Sequence, residues 1–287
     1  MEKKEISFKG MVLNGFVALL LGIALIALGI CCFALGDEAT WSILCGLLSI
    51  FLGAFVFGGI FKQEPNEAKA MVFFGKYRGT FVKDGFFFVN PLLSRKAVSL
   101  RARNLNAEPI KVNDKTGNPV LIGLVVVWKL KDTYKAIFDI DTDVSSMAAG
   151  GNASNARMNK FEKFVAVQSD SALRQVAGMY AYDNDGNDAV EVTLRSGNDE
   201  VNEVLLAKLN ERLEQSGLEV TEARINSLAY APEIAAVMLR RQQAAAIITA
   251  REKIVEGAVS MVKMALEKLS DEEIVELDEE KKAAMVS

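Results

Sequence analysis

The carboxylates come nearest to a chemical constellation. Asp139, Asp141 and Asp143 alternate, so an extended segment would put all three on one face, where a divalent cation could sit. Acids spaced this way in a polar stretch read more simply as a solvated turn. The run Asp183-Asn184-Asp185-Gly186-Asn187-Asp188 has the composition of a calcium loop. It fails the spacing, which needs acids at positions one, three and five, glycine at six and glutamate at twelve. It reads as a surface turn.

Nucleophilic and acid–base chemistry lack their usual parts. The chain has no histidine, so the commonest general base and the commonest metal ligand are both absent. Cys31, Cys32 and Cys45 all lie inside apolar runs and have no zinc-site spacing. They read as small hydrophobes, with a disulfide between the two runs left open. Serines and lysines are plentiful, yet none sits in a nucleophile motif, and there is no phosphate loop or dinucleotide fingerprint. The sequence predicts no catalytic residue, no metal site and no cofactor. A membrane-tethered hydrolase is the reading this argues against.

The elements around these residues point elsewhere. Of 287 residues 51% are hydrophobic, and the excess is concentrated before Lys62. Net charge is −4, which gives no basic domain for nucleic acid. Met11 to Leu35 and Trp41 to Phe61 are uncharged and long enough to cross a bilayer core, so residues 11–61 read as a transmembrane hairpin. The first run is too long for the apolar core of a signal peptide, and a second span follows at once. Lys3, Lys4 and Lys9 precede the hairpin and Lys62 and Lys69 follow it, while the short connection carries only acids. Both termini are therefore expected in the cytoplasm, residues 1–10 included. A hairpin that enters and leaves by one face would give the same sidedness. Gly15, Gly22 and Gly29 repeat at heptad spacing in the first span, and Gly46 and Gly53 in the second; with Ala18 and Ser49 they form a small-residue seam for close helix packing.

Beyond the hairpin an α+β domain is expected over residues 66–229. Ala68 to Leu130 is β-rich, broken by turn signals such as Asn113-Asp114-Lys115-Thr116-Gly117-Asn118. Asp132 is placed to cap a short helix. Ser145 to Asn155 reads as a loop, Arg157 to Tyr182 and Asn198 to Ser216 as helices, and Leu218 to Ala229 as a returning strand.

Residues 230–269 form one long helix, with Pro232 in its first turn. Ile234, Ile248, Val255, Val262 and Leu269 fall in one heptad column, and Val237, Ala244, Ala258 and Ala265 in another. Arg241 and Arg251 interrupt them, and Ile247, Ile254 and Met261 widen the stripe. The pattern suits packing against other helices, with an amphipathic helix lying on its own domain as the plainer alternative. Ser270-Asp271-Glu272-Glu273 is a capping box that predicts a break and a short acidic helix or tail over 270–287.

Several segments together resemble the stomatin/prohibitin/flotillin/HflK–HflC (SPFH, Band 7) family. They are Gly79 to Pro91, "VLIGLVVVWKLKDTYKA", "SALRQVAGMY" and "LNERLEQSGLEVTEARINSLAYAPEIAAVMLRRQQA", in family order over about residues 66–270. Thr133 stands where many members have proline, and Asp183 to Gly197 looks like an insertion. The resemblance implies an SPFH domain against the membrane and side-by-side assembly through the long helices into a large homo-oligomeric ring or cage. Such assemblies organise membrane microdomains, with lipids and membrane-protein clients such as a membrane protease or channel as partners. A dedicated regulator of one such client is the alternative. Phe86, Phe87, Phe88, Leu92 and Leu93 are candidates for contact with the membrane interface, or for ordinary core packing.

Overall fold

The computed structural model describes residues 5–35, 40–140, 152–183 and 192–271. Asp141, Asp143, most of the Asp183 to Asp188 run and the tail from residue 272 lie outside them.

Two apolar helices pair first, α1 (Gly15–Leu35) and α2 (Thr40–Gly59). The uncharged run that begins at Met11 is not helical until Gly15. Its Leu13 and Asn14 form a short strand, β1, and the Asn14 side-chain oxygen accepts from the Phe16 amide at 3.0 Å, capping α1. Likewise Ile60 and Phe61 leave the second apolar run to begin β2 (Ile60–Gln63).

The strands then follow in quick succession: β3 (Glu67–Phe73), β4 (Lys76–Phe81), β5 (Gly85–Phe88), β6 (Leu93–Ser99), β7 (Arg103–Asn113) and β8 (Pro119–Leu130). They make three small antiparallel sheets, ordered β1-β5-β2, β4-β3-β6 and β7-β8-β9, where β9 is Leu218–Tyr230. The first sheet ties the hairpin to the domain: Phe87 and Phe88 of β5 pair with Asn14 and Leu13 on one side and with Phe61 and Ile60 on the other.

The main core lies on the third sheet. Val120, Ile122, Leu124, Val126, Trp128 and Leu130 alternate along β8, all buried. Helices α4 (Asn152–Ala177) and α5 (Asn198–Leu213) pack against this core through Met158, Phe161, Val165, Leu205 and Leu209. The structure starts α4 inside the stretch expected to be a loop, because its buried apolar face outweighs a polar, asparagine-rich first turn. Asp132 caps α3 (Thr133–Phe138) by accepting from the Lys135 amide at 3.1 Å. After α5 a single 3-10 turn, Glu214–Ser216, ends at Gly217 with φ +69°. A side chain there would also meet the Asp132 carbonyl, so glycine serves twice.

A second, smaller core of Phe61, Met71, Phe81, Val89 and Leu93 sits at the base of the hairpin. Residues 6–8 are added as a strap along β4: the Thr80 amide donates to the Ile6 carbonyl at 2.8 Å, and the Phe8 amide to the Thr80 carbonyl at 3.0 Å. Finally α6 (Pro232–Asp271) leaves β9 after one buried residue, Ala231. Its backbone continues through Ser270, where the capping box predicts a break. Serine favours caps but is tolerated inside a helix, so the motif alone does not decide between them.

Candidate functional site

The hairpin is packed inside out. Its buried residues are Gly15, Ala18, Gly22 and Gly29 in α1 and Gly46, Ser49, Gly53 and Gly59 in α2. The large apolar side chains point away, with Phe16 and Leu20 each 66% exposed and Trp41 78%. In water such a pair would expose its whole hydrophobic payload. In lipid the arrangement is expected, because helices there associate through small residues at close approach.

The seam is specific. A Cβ on Gly29 would lie 3.0 Å from the Gly46 carbonyl oxygen, and one on Gly46 3.1 Å from that of Gly29. Gly53 meets the Gly22 carbonyl at 3.2 Å, and Gly22 itself faces the Phe57 ring. Between these two levels Ser49 Oγ donates to the Leu25 carbonyl at 2.6 Å. Gly15 does not face α2; it lies under the Phe86 ring. Cys31, Cys32 and Cys45 are free thiols.

The aromatic segment divides its labour. Phe86 meets Phe16 with ring centres 5.2 Å apart and planes tilted by 55°, and Phe87 packs between Phe61 and Phe81. Phe88 lies over Gly59, Leu93 is buried in the small core, and Leu92 is half exposed. Phe87 and Leu93 thus act as core, and Leu92 is the member of the set that is free to meet a surrounding phase.

Sequence reasoning did not find the polar anchors at the hairpin's base. Arg95 on β6 donates from Nη2 to the Gly58 carbonyl at 3.0 Å and from Nη1 to Ile60 at 3.4 Å. Its guanidinium also lies 5.4 Å from the Phe61 ring, while the Lys69 ammonium stands 4.9 Å from that ring. Burial lowers the pKa of both cations; for Lys69 the neighbouring Glu67 pulls the other way. A second polar chain runs Tyr77–Thr80–Thr133, with links of 2.6 and 2.7 Å, and ends on the Glu5 carboxylate of the strap. Thr133 is buried and its hydroxyl is a member of this chain. A proline there could not take part.

At the other end, α6 touches its own domain through its first turns, where the Gln242 amide donates to Asp183 at 3.4 Å. Lys111 and Glu233 pair at 2.6 Å at its foot, and Ile234 is half buried there. Every residue from Leu239 to Ala265 is exposed, including Ala244, Ile248, Val255, Ala258, Val262 and Ala265. Val237 is exposed too, and the Leu269 side chain lies outside the described residues. A helix packed on its own domain would cover its apolar stripe; this one does not.

The profile of the SPFH domain / Band 7 family matches residues 62–259, more than half of the chain. The chain belongs to this family. Its SPFH match begins inside β2, at the exit of the hairpin, and ends well along α6. A comparison with curated proteins found no match. Both apolar helices are long and hydrophobic enough to cross a membrane, and less than a quarter of each is buried, unlike the core helix of a soluble protein. Together with the SPFH domain they fit a membrane protein. Among the described residues no three cysteine or carboxylate side chains converge as a metal site would need.

Proposed function

We propose that this SPFH chain is a non-enzymatic membrane scaffold, anchored by a two-span hairpin and assembled laterally through α6 into a closed ring or cage. The observation that carries the reading is the uncovered apolar stripe of α6. Ile247, Ile254, Val255 and Met261 are each more than half exposed, on a helix roughly 60 Å long at about 1.5 Å per residue. Exposed columns with small residues at alternate core positions are what neighbouring copies of the same helix would interdigitate with. Head-to-tail contacts of this kind close into rings when the rotation per subunit closes.

The flanking lysines favour the cytoplasmic side for the domain and both termini. The array would then confine lipids and client membrane proteins, a membrane protease or channel among them, inside its perimeter. The test is the mass of the full-length protein gently extracted from membranes. A discrete particle of many subunits supports the scaffold, and a monomer or dimer that persists across mild detergents overturns it.

A further inference from the structure

A cleft of about 640 Å³ opens where the strap, the last turns of α2 and the β5–β6 turn meet. Its apolar wall includes Met11, Phe55, Phe88 and Leu92, of which Met11 is 79% and Leu92 52% exposed. Phe55 precedes the end of α2 by about one turn, so the cleft straddles the level at which the apolar helix gives way to the polar domain. Its charged lining consists of two cations, Lys9 and Arg78, with no acid among the lining residues. Neither cation forms a salt bridge among the described residues, and the Arg78 guanidinium lies 5.8 Å from the centre of the Phe73 ring, a cation–π contact that holds the charge at the cleft. Asn90, also at the cleft, accepts from the Leu92 amide at 3.0 Å, which leaves its side-chain NH2 as a further donor.

An apolar wall continuous with an apolar helix, topped by two cations with no acid in the cleft lining and an amide donor, is complementary to one kind of molecule. We propose that this cleft binds a single anionic phospholipid, with its acyl chains against Phe55, Phe88 and Leu92 and its phosphate on Lys9 and Arg78. A zwitterionic lipid would bring its own ammonium to a site that offers no carboxylate to receive it. A free phosphate would leave the apolar wall unused. The proposal rests on the membrane reading of the hairpin but not on ring assembly.

The experiment uses the full-length chain in detergent micelles, with phosphatidylglycerol or phosphatidylcholine added at equal concentration and adducts counted by native mass spectrometry. One phosphatidylglycerol is expected to bind in preference to phosphatidylcholine, and K9Q/R78Q is expected to reduce that preference by about tenfold. Both substitutions are at exposed side chains, so the fold is retained. L92Q, which leaves both charges in place, should weaken both lipids alike. Equal binding of the two lipids by the wild type overturns the proposal, as does a preference that survives K9Q/R78Q. Particle mass measured on the same samples separates the two ideas: large particles without lipid preference would refute the site alone, and lipid preference in a monomer would refute the ring alone.

Discussion

Arg95 Nη2 lies 3.0 Å from the Gly58 carbonyl oxygen, so a strand of the soluble domain caps the last turn of an apolar helix. The carbonyls there have no partner within the helix, and a cation at that end also meets the negative pole of the helix dipole. The same guanidinium lies 5.4 Å from the Phe61 ring, and the Lys69 ammonium 4.9 Å from it, so two cations contact the strand residue just beyond the helix.

Replacing Arg95 with alanine is expected to cost about 1–2 kcal/mol, combining the lost cap with the lost cation–π contact. Thermal unfolding of the full-length protein in detergent measures it, and Arg95→Lys should recover only part of the loss. An alanine variant as stable as the wild type would mean that the contact does nothing for the junction.

The glycine seam predicts a contrast between two glycines in helices. Gly29→Leu must displace Ile50 or the Gly46 backbone and should destabilise the hairpin by about 1–3 kcal/mol. Gly257, on α6, has no atom within 4 Å of a built Cβ, and Gly257→Ala should raise helix stability by up to about 1 kcal/mol. Helicity and thermal midpoints of the two variants, side by side, check both signs.

Ile248→Asp combined with Val255→Asp should dissolve the assembly and leave the domain folded. Both side chains are exposed in the single chain, so the domain's own packing has nothing to lose. Size-exclusion with light scattering reads the particle, and circular dichroism reads the fold. The same large particle in the double variant would remove α6 from the interface.

Asp114 accepts from the Thr116 and Asn118 amides at 3.0 and 2.8 Å through one oxygen, and from the Tyr182 amide at 3.1 Å through the other. It is buried, so Asp114→Ala would strand three backbone donors and the Thr116 hydroxyl and should cost about 3 kcal/mol. Asp114→Asn should cost less, and denaturant melts rank the two.

Alkaline stability should show two opposed slopes. Burial lowers the Lys69 pKa below its ordinary 10.5, so over that interval the unfolded chain holds more protons and stability rises with pH. Burial raises Tyr77 above its ordinary 10.0, so the unfolded chain loses that proton first and stability falls as pH climbs past the ordinary value. Lys69→Met should therefore make the profile fall more steeply above the ordinary tyrosine value, and Tyr77→Phe should make it fall less.

Much of the architecture is legible from pattern alone, and the reasons are local. Charge-free runs mark the hairpin, alternation marks β8, and a heptad stripe marks α6. What escapes the sequence depends on distant partners. Nothing about Arg95 sets it apart from a solvated strand arginine until Gly58 lies beside it. Leu13 and Asn14 sit in a run that hydropathy assigns to the membrane, and only pairing with Phe88 and Phe87 makes them a strand. Gly79 enters the sequence reading only as the first residue of the SPFH-like segment, whereas its φ of +131° and the strap passing 2.8 Å from an added Cβ show that it makes room for Phe8. The capping box at Ser270 falls at the last described residues of α6, and the acidic segment after it lies outside them.

β5, held between β1 and β2, joins hairpin and domain through paired strands rather than a free linker, and the single buried residue Ala231 joins β9 to α6. The molecule is therefore a lever. Over an arm of roughly 60 Å, each degree of tilt at the hairpin moves the tip of α6 by about 1 Å. In the proposed assembly, a change of bilayer thickness that tilts the hairpin would change the spacing of neighbouring tips.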